Sequence, residues 1–174
     1  MVMEKSQRST IPEQGFTLVE LLITVVILGI LLGLGVPAFS DLIKNNRLTT
    51  AANTFVASVN FARSEAVKRG EPVLITAADS SAAGNEWGPG WTVWLDSDGD
   101  STLDAGEELR EVGAIGNNIT VDSNGDFGQF TYDATGLVDN GNTTLDLCDD
   151  RNGERGRQIT ISNTGSVTTA DLDC

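Results

Sequence analysis

The first forty residues divide into a polar segment and a long apolar run. Residues 1–15 are polar, whereas the run from Phe16 to Phe39 carries one charge, Glu20. About twenty apolar residues span a hydrocarbon core of roughly 30 Å, so this run predicts a transmembrane helix over residues 16–39. The polar segment lacks the apolar stretch of a secretory signal, and no small-residue cleavage site follows the run. We therefore expect the helix to stay attached to the mature protein.

Beyond Pro37 the pattern changes to apolar residues that recur at steps of three and four. This spacing predicts an amphipathic helix over residues 40–70 that continues the first one and lies against a core. Gly70 is a typical C-terminal stop, and Pro37 is expected to bend the helix. The predicted core stripe consists of Leu48, Ala52, Phe55, Val59, Ala62 and Ala66.

Residues 71–174 show short β-type runs that are separated by Gly, Asn and Asp, which predicts a head of antiparallel strands. The expected fold class is therefore α+β, with a long N-terminal transmembrane and amphipathic helix packed against two small antiparallel sheets. Three tryptophans, Trp87, Trp91 and Trp94, are interpreted as core and turn packing rather than as a ligand platform. The predicted strands are Pro72–Ala77, Gly90–Leu95, Glu108–Val112, Ile119–Val121, Phe127–Tyr132, Thr143–Leu147, Gln158–Ser162 and Ser166–Thr169.

Composition excludes several classes of function. The chain of 174 residues has 25 acidic and 11 basic residues, a net charge of -14 and no histidine. The acidic excess disfavours DNA or RNA as the main partner. The lack of histidine excludes His-dependent nucleophile systems and His-ligated zinc. No cofactor motif is present, so we predict that the protein is not an enzyme.

Glu20 is the unusual residue of the apolar run. A carboxylate inside an apolar helix costs on the order of 3 kcal/mol, so it should have a partner. One interpretation places Glu20 near the membrane interface, where it would reach the lipid headgroups. The other interpretation gives it a positive charge that is supplied by another subunit.

The string GFTLVELL, residues 15–22, resembles the class III signal of type IV pilins and type II secretion pseudopilins. The resemblance implies that residues 1–15 are a leader, which a prepilin peptidase cleaves after Gly15 before it methylates Phe16. It also implies that Glu20 pairs with the terminal amine of a neighbouring subunit in a filament. Pro37 is similar to the helix-kinking proline of this family.

The segment of residues 60–75 is similar to the GspH/FimT branch of that family, which implies a pilin-like fold. The implied function is a minor pilin that helps to initiate a type IV pilus, and the alternative is an H-type pseudopilin of type II secretion. The implied partners are other pilins or pseudopilins, the prepilin peptidase and an inner-membrane assembly platform. The implied location is the bacterial inner membrane, with the head in the periplasm before incorporation into the filament.

The acidic segment of residues 96–107 predicts a calcium-binding loop. Its oxygen donors follow the ligand spacing of an EF-hand, although Ser101 stands where that loop requires glycine and no helices flank it. The alternative is a solvated hairpin loop. A shorter acidic set at Asp122, Asn124 and Asp126 lacks a closing carboxylate. The candidate calcium ligands of the long loop are Asp96, Asp98, Asp100, the carbonyl of Thr102, Asp104 and Glu107.

The two cysteines, Cys148 and Cys174, predict a disulfide, because an exported head lies in an oxidising compartment. Some FimT-type relatives take up DNA through a Gly-Arg-x-Arg motif, but this chain has Ser166 and Thr168 at the arginine positions. Of the remaining basic residues, Arg155 and Arg157 are the weak candidates for nucleic-acid contact. DNA binding is therefore a minority hypothesis.

Overall fold

The computed structural model describes residues 15–116, 118–139, 142–151, 153 and 155–174. The described part of the chain divides into two compact units, of which the first ends at Leu42 and the second begins at Ile43. The predicted leader therefore falls outside the described residues, except for Gly15.

The first unit contains the beginning of a long helix, α1, which runs from Leu18 to Arg69. In the described chain α1 is the one helix that is long and apolar enough to cross a membrane. It begins two residues after the predicted start, because Thr17 caps it: the Thr17 hydroxyl accepts the N–H of Glu20 at 3.2 Å. Thr17 and Glu20 have the spacing of a capping box. Pro37 lies inside α1, and its expected bend stays a prediction.

The second unit combines the rest of α1 with eight strands in two antiparallel sheets. One sheet has the order β3-β2-β1-β5 and the other has the order β4-β6-β7-β8. The predicted fold class is confirmed. The strands are β1 Val73–Ala77, β2 Gly90–Leu95, β3 Glu108–Gly113, β4 Ile119–Ser123, β5 Gln129–Tyr132, β6 Thr143–Asp149, β7 Arg155–Ile161 and β8 Val167–Asp173.

The core of this unit lies where one face of α1 meets both sheets. All six residues of the predicted stripe are buried, and Ala51 and Ser58 join them. Phe55 makes edge-to-face contacts with Trp87 and Trp91, with ring centroids 5.3 and 5.0 Å apart. Such pairs add to the free energy gained by burying apolar surface.

The packing role predicted for the tryptophans is confirmed. Trp87 and Trp91 belong to the main core, whereas the fully buried Trp94 lies outside that cluster. Side chains alternate between the two faces of a strand, so Trp94 occupies the face of β2 opposite to Trp91 and Val93. Its indole N–H donates to the hydroxyl of Thr76 at 2.9 Å.

Candidate functional site

The assembly determinants predicted from the N-terminal motif are exposed. Phe16 is 83% exposed, and Glu20 lies in the first turn of α1 with its side chain accessible. A carboxylate in this turn is also favoured by the positive end of the helix dipole. Glu20 therefore supports the start of its own helix, and its predicted pairing with a second subunit stays a prediction.

The acidic loop, residues 96–107, connects β2 to β3 and brings its predicted carboxylates together. Asp98 belongs to two groups in which the carboxylate oxygens lie within 4.8 Å of one another. The first group adds Asp96 and Glu107, and the second adds Asp100 and Asp104. The five carboxylates that sequence spacing selected thus converge around Asp98.

Glu107 is the buried member of the loop and holds its two ends together. Its Oε1 accepts the N–H of Ser97 at 2.9 Å, and its Oε2 accepts the N–H of Asp104 at 3.1 Å. Asp96 Oδ1 accepts the N–H of Gly99 at 2.9 Å. These bonds give the acidic loop a defined conformation, in which carboxylate oxygens accept backbone N–H groups of the loop.

Ser101 adopts the left-handed backbone conformation that the sequence placed in doubt. Its φ is +59°, and that of Gly99 is +77°. A left-handed conformation costs a residue with a side chain about 1–2 kcal/mol. The turn that an EF-hand makes at glycine is therefore made here by serine, at a cost in stability. The missing glycine does not prevent the turn.

Thr102 lies beside Asp100 in the acidic loop. Its N–H and its hydroxyl both donate to Asp100 Oδ1, at 2.8 and 2.6 Å. These hydrogen bonds, the hydroxyl foremost, lower the pKa of Asp100 below its ordinary value. The carboxylate is thus held in the charged form that a cation requires.

The shorter acidic set gains a third carboxylate that sequence reasoning missed. Glu86, in the connection between β1 and β2, is fully buried, and its oxygens lie within 4.8 Å of those of Asp122 and Asp126. Burial opposes its charge, but backbone N–H donors that include Gly84 and Ser123 outweigh this effect and lower the pKa of Glu86. No sequence signal identified it, because it is a lone acidic residue in an irregular connection.

Arg155 and Arg157, the candidates for nucleic-acid contact, both lie in β7. Arg157 Nη1 lies 2.8 Å from Asp171 Oδ1 across the β7–β8 pair. The side chain of Arg155 lies outside the described residues. An arginine that already pairs with a carboxylate is poorly available to a phosphate, so the geometry adds no support to nucleic-acid contact.

The predicted disulfide between Cys148 and Cys174 is confirmed. It joins β6 to the end of β8 and crosses β7 between them. Gly156 makes this crossing possible, because a Cβ at that position would collide with the Cys174 sulfur and the Leu147 carbonyl.

Two family models match the chain. The model described as type II transport protein GspH covers residues 51–165, and the model described as the prokaryotic N-terminal methylation motif covers residues 12–36. The first match spans well over half of the chain. The chain belongs to the GspH family of pilin-like and pseudopilin-like proteins.

Individual relatives agree with this assignment. The pilin-like protein PilA1 of Thermus thermophilus is 35% identical over 98 residues, which are 55% of this chain and 56% of that protein. The chain thus matches about half of the length of this curated relative.

Solved structures of two other proteins have a similar fold. The type IV minor pilin FimU of Pseudomonas aeruginosa matches with a TM-score of 0.62 and 25% identity, over 73% of this chain and 90% of that chain. The minor pseudopilin EpsH of the Vibrio cholerae type 2 secretion system matches with a TM-score of 0.53 and 11% identity, over 71% and 96%. The EpsH likeness is one of fold alone. The methylation motif over residues 12–36 and the apolar first part of α1 together indicate that this helix anchors the chain in a membrane.

Proposed function

We propose that this protein is a minor pilin that helps to initiate and assemble a type IV pilus. The observation that carries the proposal is its 25% identity with FimU in a match that covers 90% of the solved FimU chain. The likeness to the pseudopilin EpsH has 11% identity. A pseudopilin of a type II secretion system is the second candidate, since both machines use this fold.

The proposed mechanism is assembly of the filament through α1. Residues 18–42 expose an apolar surface on every side, which is stable in a bilayer or against other such helices. Cleavage after Gly15 and methylation of Phe16 would leave a terminal amine close to Glu20. An assembly platform would then move the helix from the inner membrane into the filament, with Glu20 paired to the amine of a neighbouring subunit. In this proposal the head lies in the periplasm before assembly.

The proposed role is structural and not catalytic. The carboxylates of the head accept backbone N–H groups, as Glu107 and Glu86 do, and such bonds serve local structure. DNA binding is not part of the proposal, because the described Arg157 is ion-paired.

A deletion strain tests the machine in which the protein works. We expect sheared surface pili to be lost without the gene and restored by complementation. Normal piliation with a loss of exoprotein release would contradict the pilus proposal and favour the secretion machine.

Glu20→Ala tests the assembly mechanism. We expect the variant to be cleaved at Gly15 but to enter filaments about tenfold less, the equivalent of roughly 1.4 kcal/mol of lost pairing. Immunoblots of sheared filaments and membranes would measure both steps. Glu71→Ala removes an exposed carboxylate outside the apolar run and is the matched control. Equal incorporation of the two variants would refute a pairing role for Glu20.

We also propose that the acidic loop binds Ca²⁺. The support is the convergence of five carboxylates around Asp98, together with the left-handed turn at Ser101. Clustered carboxylates repel one another, and a divalent cation removes this cost. Binding would therefore stabilise the conformation of the β2–β3 connection and, with it, the head.

Calcium binding has two independent measures. We expect the thermal midpoint of the full chain in detergent to rise in millimolar Ca²⁺ relative to chelator. Terbium luminescence should be excited through Trp94, because Trp94, Ser101 and Leu103 line one cavity. Asp98→Asn should abolish both responses, whereas Asp139→Asn, outside the loop, should leave them intact. The calcium proposal fails if wild-type protein shows neither response.

A further inference from the structure

The edges of the two sheets differ in how they are protected from pairing with another strand. The outer edge of β4 is covered by the connection that precedes β2. The Val121 N–H donates to Asn85 Oδ1 at 2.9 Å, and the Val121 carbonyl accepts the N–H of Trp87 at 3.2 Å. Buried Glu86 accepts the N–H of Ser123 at 3.2 Å. This segment occupies the groups to which a further strand would bind.

Two further edges are protected in other ways. At β5, the N–H of Asp139 donates to the Thr131 carbonyl at 3.2 Å, and Val138 forms a bridge with Tyr132. The edge strand β3 carries three charged residues among six, and its ladder with β2 is irregular. Charges and bulges are devices by which edge strands avoid unwanted pairing.

The fourth edge strand, β8, has neither charged residues nor a bulge along its first four residues. Residues 167–170 are uncharged, and Thr168, Thr169 and Ala170 are exposed. Within the described chain β8 pairs with β7 alone. Uncharged, β-branched residues on a seven-residue edge are favourable for the addition of another strand.

The register identifies which backbone groups of β8 are available. The Ser162 N–H donates to the Ser166 carbonyl at 2.9 Å and closes the β7–β8 hairpin. Hydrogen-bonded pairs alternate along an antiparallel ladder, so residues 168, 170 and 172 bond to β7. The N–H and C=O groups of residues 167, 169, 171 and 173 therefore point away from β7.

The edge is also held in place before any partner arrives. The disulfide ties the end of β8 to β6, and the Arg157–Asp171 ion pair ties it to β7. A template that is already ordered pays less conformational entropy when a strand binds to it.

We propose that β8 accepts an extended strand from the head of a different pilin-like subunit. The partner strand should carry a Lys or Arg near Asp173, because this acidic residue ends the edge and is exposed, whereas Asp171 is already paired with Arg157. A second copy of this chain is disfavoured by its net charge of -14 and by the same carboxylates. Main-chain hydrogen bonds would supply the affinity, and the acidic end of β8 would set the orientation of the bound strand.

The inference rests on the proposed assembly function. The experiment co-expresses the full chain with each other leader-bearing pilin-like chain of the source organism and isolates the complexes in detergent. Thr169→Pro removes an outward N–H without removing a bond to β7, and Thr169→Ala keeps that N–H. We expect the proline variant to bind about tenfold or more weakly, as for a lost hydrogen bond with a steric clash, and the alanine variant to bind normally.

Hydrogen exchange on the wild-type complex provides a measure that does not depend on how the proline variant folds. On binding, the amides of residues 167, 169, 171 and 173 should become protected, whereas those of 168, 170 and 172 are protected already. Protection elsewhere, equal binding of the proline variant in folded form, or the same protection in a self-associated sample would overturn the proposal. Absence of any partner complex would also overturn it. Incorporation that still depends on Glu20 would then show that the assembly function survives.

Discussion

The two halves of α1 share one helical geometry but differ in what covers their apolar residues. In residues 18–42 every described side chain is exposed, although most are apolar. In the half from Ile43 to Arg69, eight residues are buried against the sheets. The second half therefore gains its stability from its own chain, whereas the first half needs a bilayer or other subunits. Within one helix, one part thus contributes to the core of the head, and the other part leaves its apolar surface uncovered.

The largest expected effect on stability comes from Phe55→Ala, in the half of α1 that is buried against the sheets. Phe55 is buried between Trp87 and Trp91, and such truncations cost about 3–5 kcal/mol. Near-UV circular dichroism of the full chain in detergent should show a much lower thermal midpoint of the head. Leu31→Ala, in the exposed half, should leave this midpoint unchanged. Similar losses in both variants would contradict the contrast between the halves.

An intermediate effect is expected when both cysteines are replaced by serine. Loss of a disulfide in a small exported domain costs about 2–5 kcal/mol, so chemical denaturation of the head should shift to lower denaturant. Reduced wild-type protein should behave like the double variant. If reduction leaves the unfolding midpoint unchanged, the disulfide contributes nothing to the stability of the head.

The smallest expected effect concerns Asp122. Burial, followed by the charges of Glu86, Asp126 and Asp146, raises the pKa of Asp122 above its ordinary value of 3.8. The native state then holds this proton more tightly than the unfolded state does. The contribution of this group to stability therefore increases as the pH falls through the raised pKa, and its charge costs stability at neutral pH.

Asp122→Asn should consequently stabilise the head at pH 7, by about 0.5 kcal/mol or less, the scale of most changes near the surface. The advantage over wild-type protein should shrink as the pH approaches 4. Urea unfolding at both pH values would measure it. A variant that is less stable at pH 7 would show that Asp122 is held there by a favourable interaction.

Much of the fold follows from local patterns. The helix, the buried stripe and the eight strands were predictable because apolar spacing and turn residues act over short distances. The last two strands are longer than predicted, since β7 begins at Arg155 and β8 ends at Asp173. The Arg157–Asp171 pair across β7 and β8 explains part of this extension, because charged residues do not indicate strands by themselves.

Among the candidate sites too, those formed by neighbouring residues in the sequence were predictable, and those formed by tertiary packing were not. The acidic loop was found because its ligand spacing lies within twelve consecutive residues. Glu86 was missed because tertiary packing brings it beside Asp122 and to the edge of β4. The backbone of Ser101 was also beyond sequence reasoning, since serine is an uncommon residue in a left-handed turn.

The buried half of α1, from Ile43 to Arg69, has a mechanical consequence. A pull along the axis of this half would reach the head as a shearing load on its buried face. Ala51, Ala52, Ala62 and Ala66 would share that load with the larger Phe55, because all five belong to one buried cluster. A flexible tether would deliver the same tension to one point. The residues that form the core of the head would therefore also resist this load.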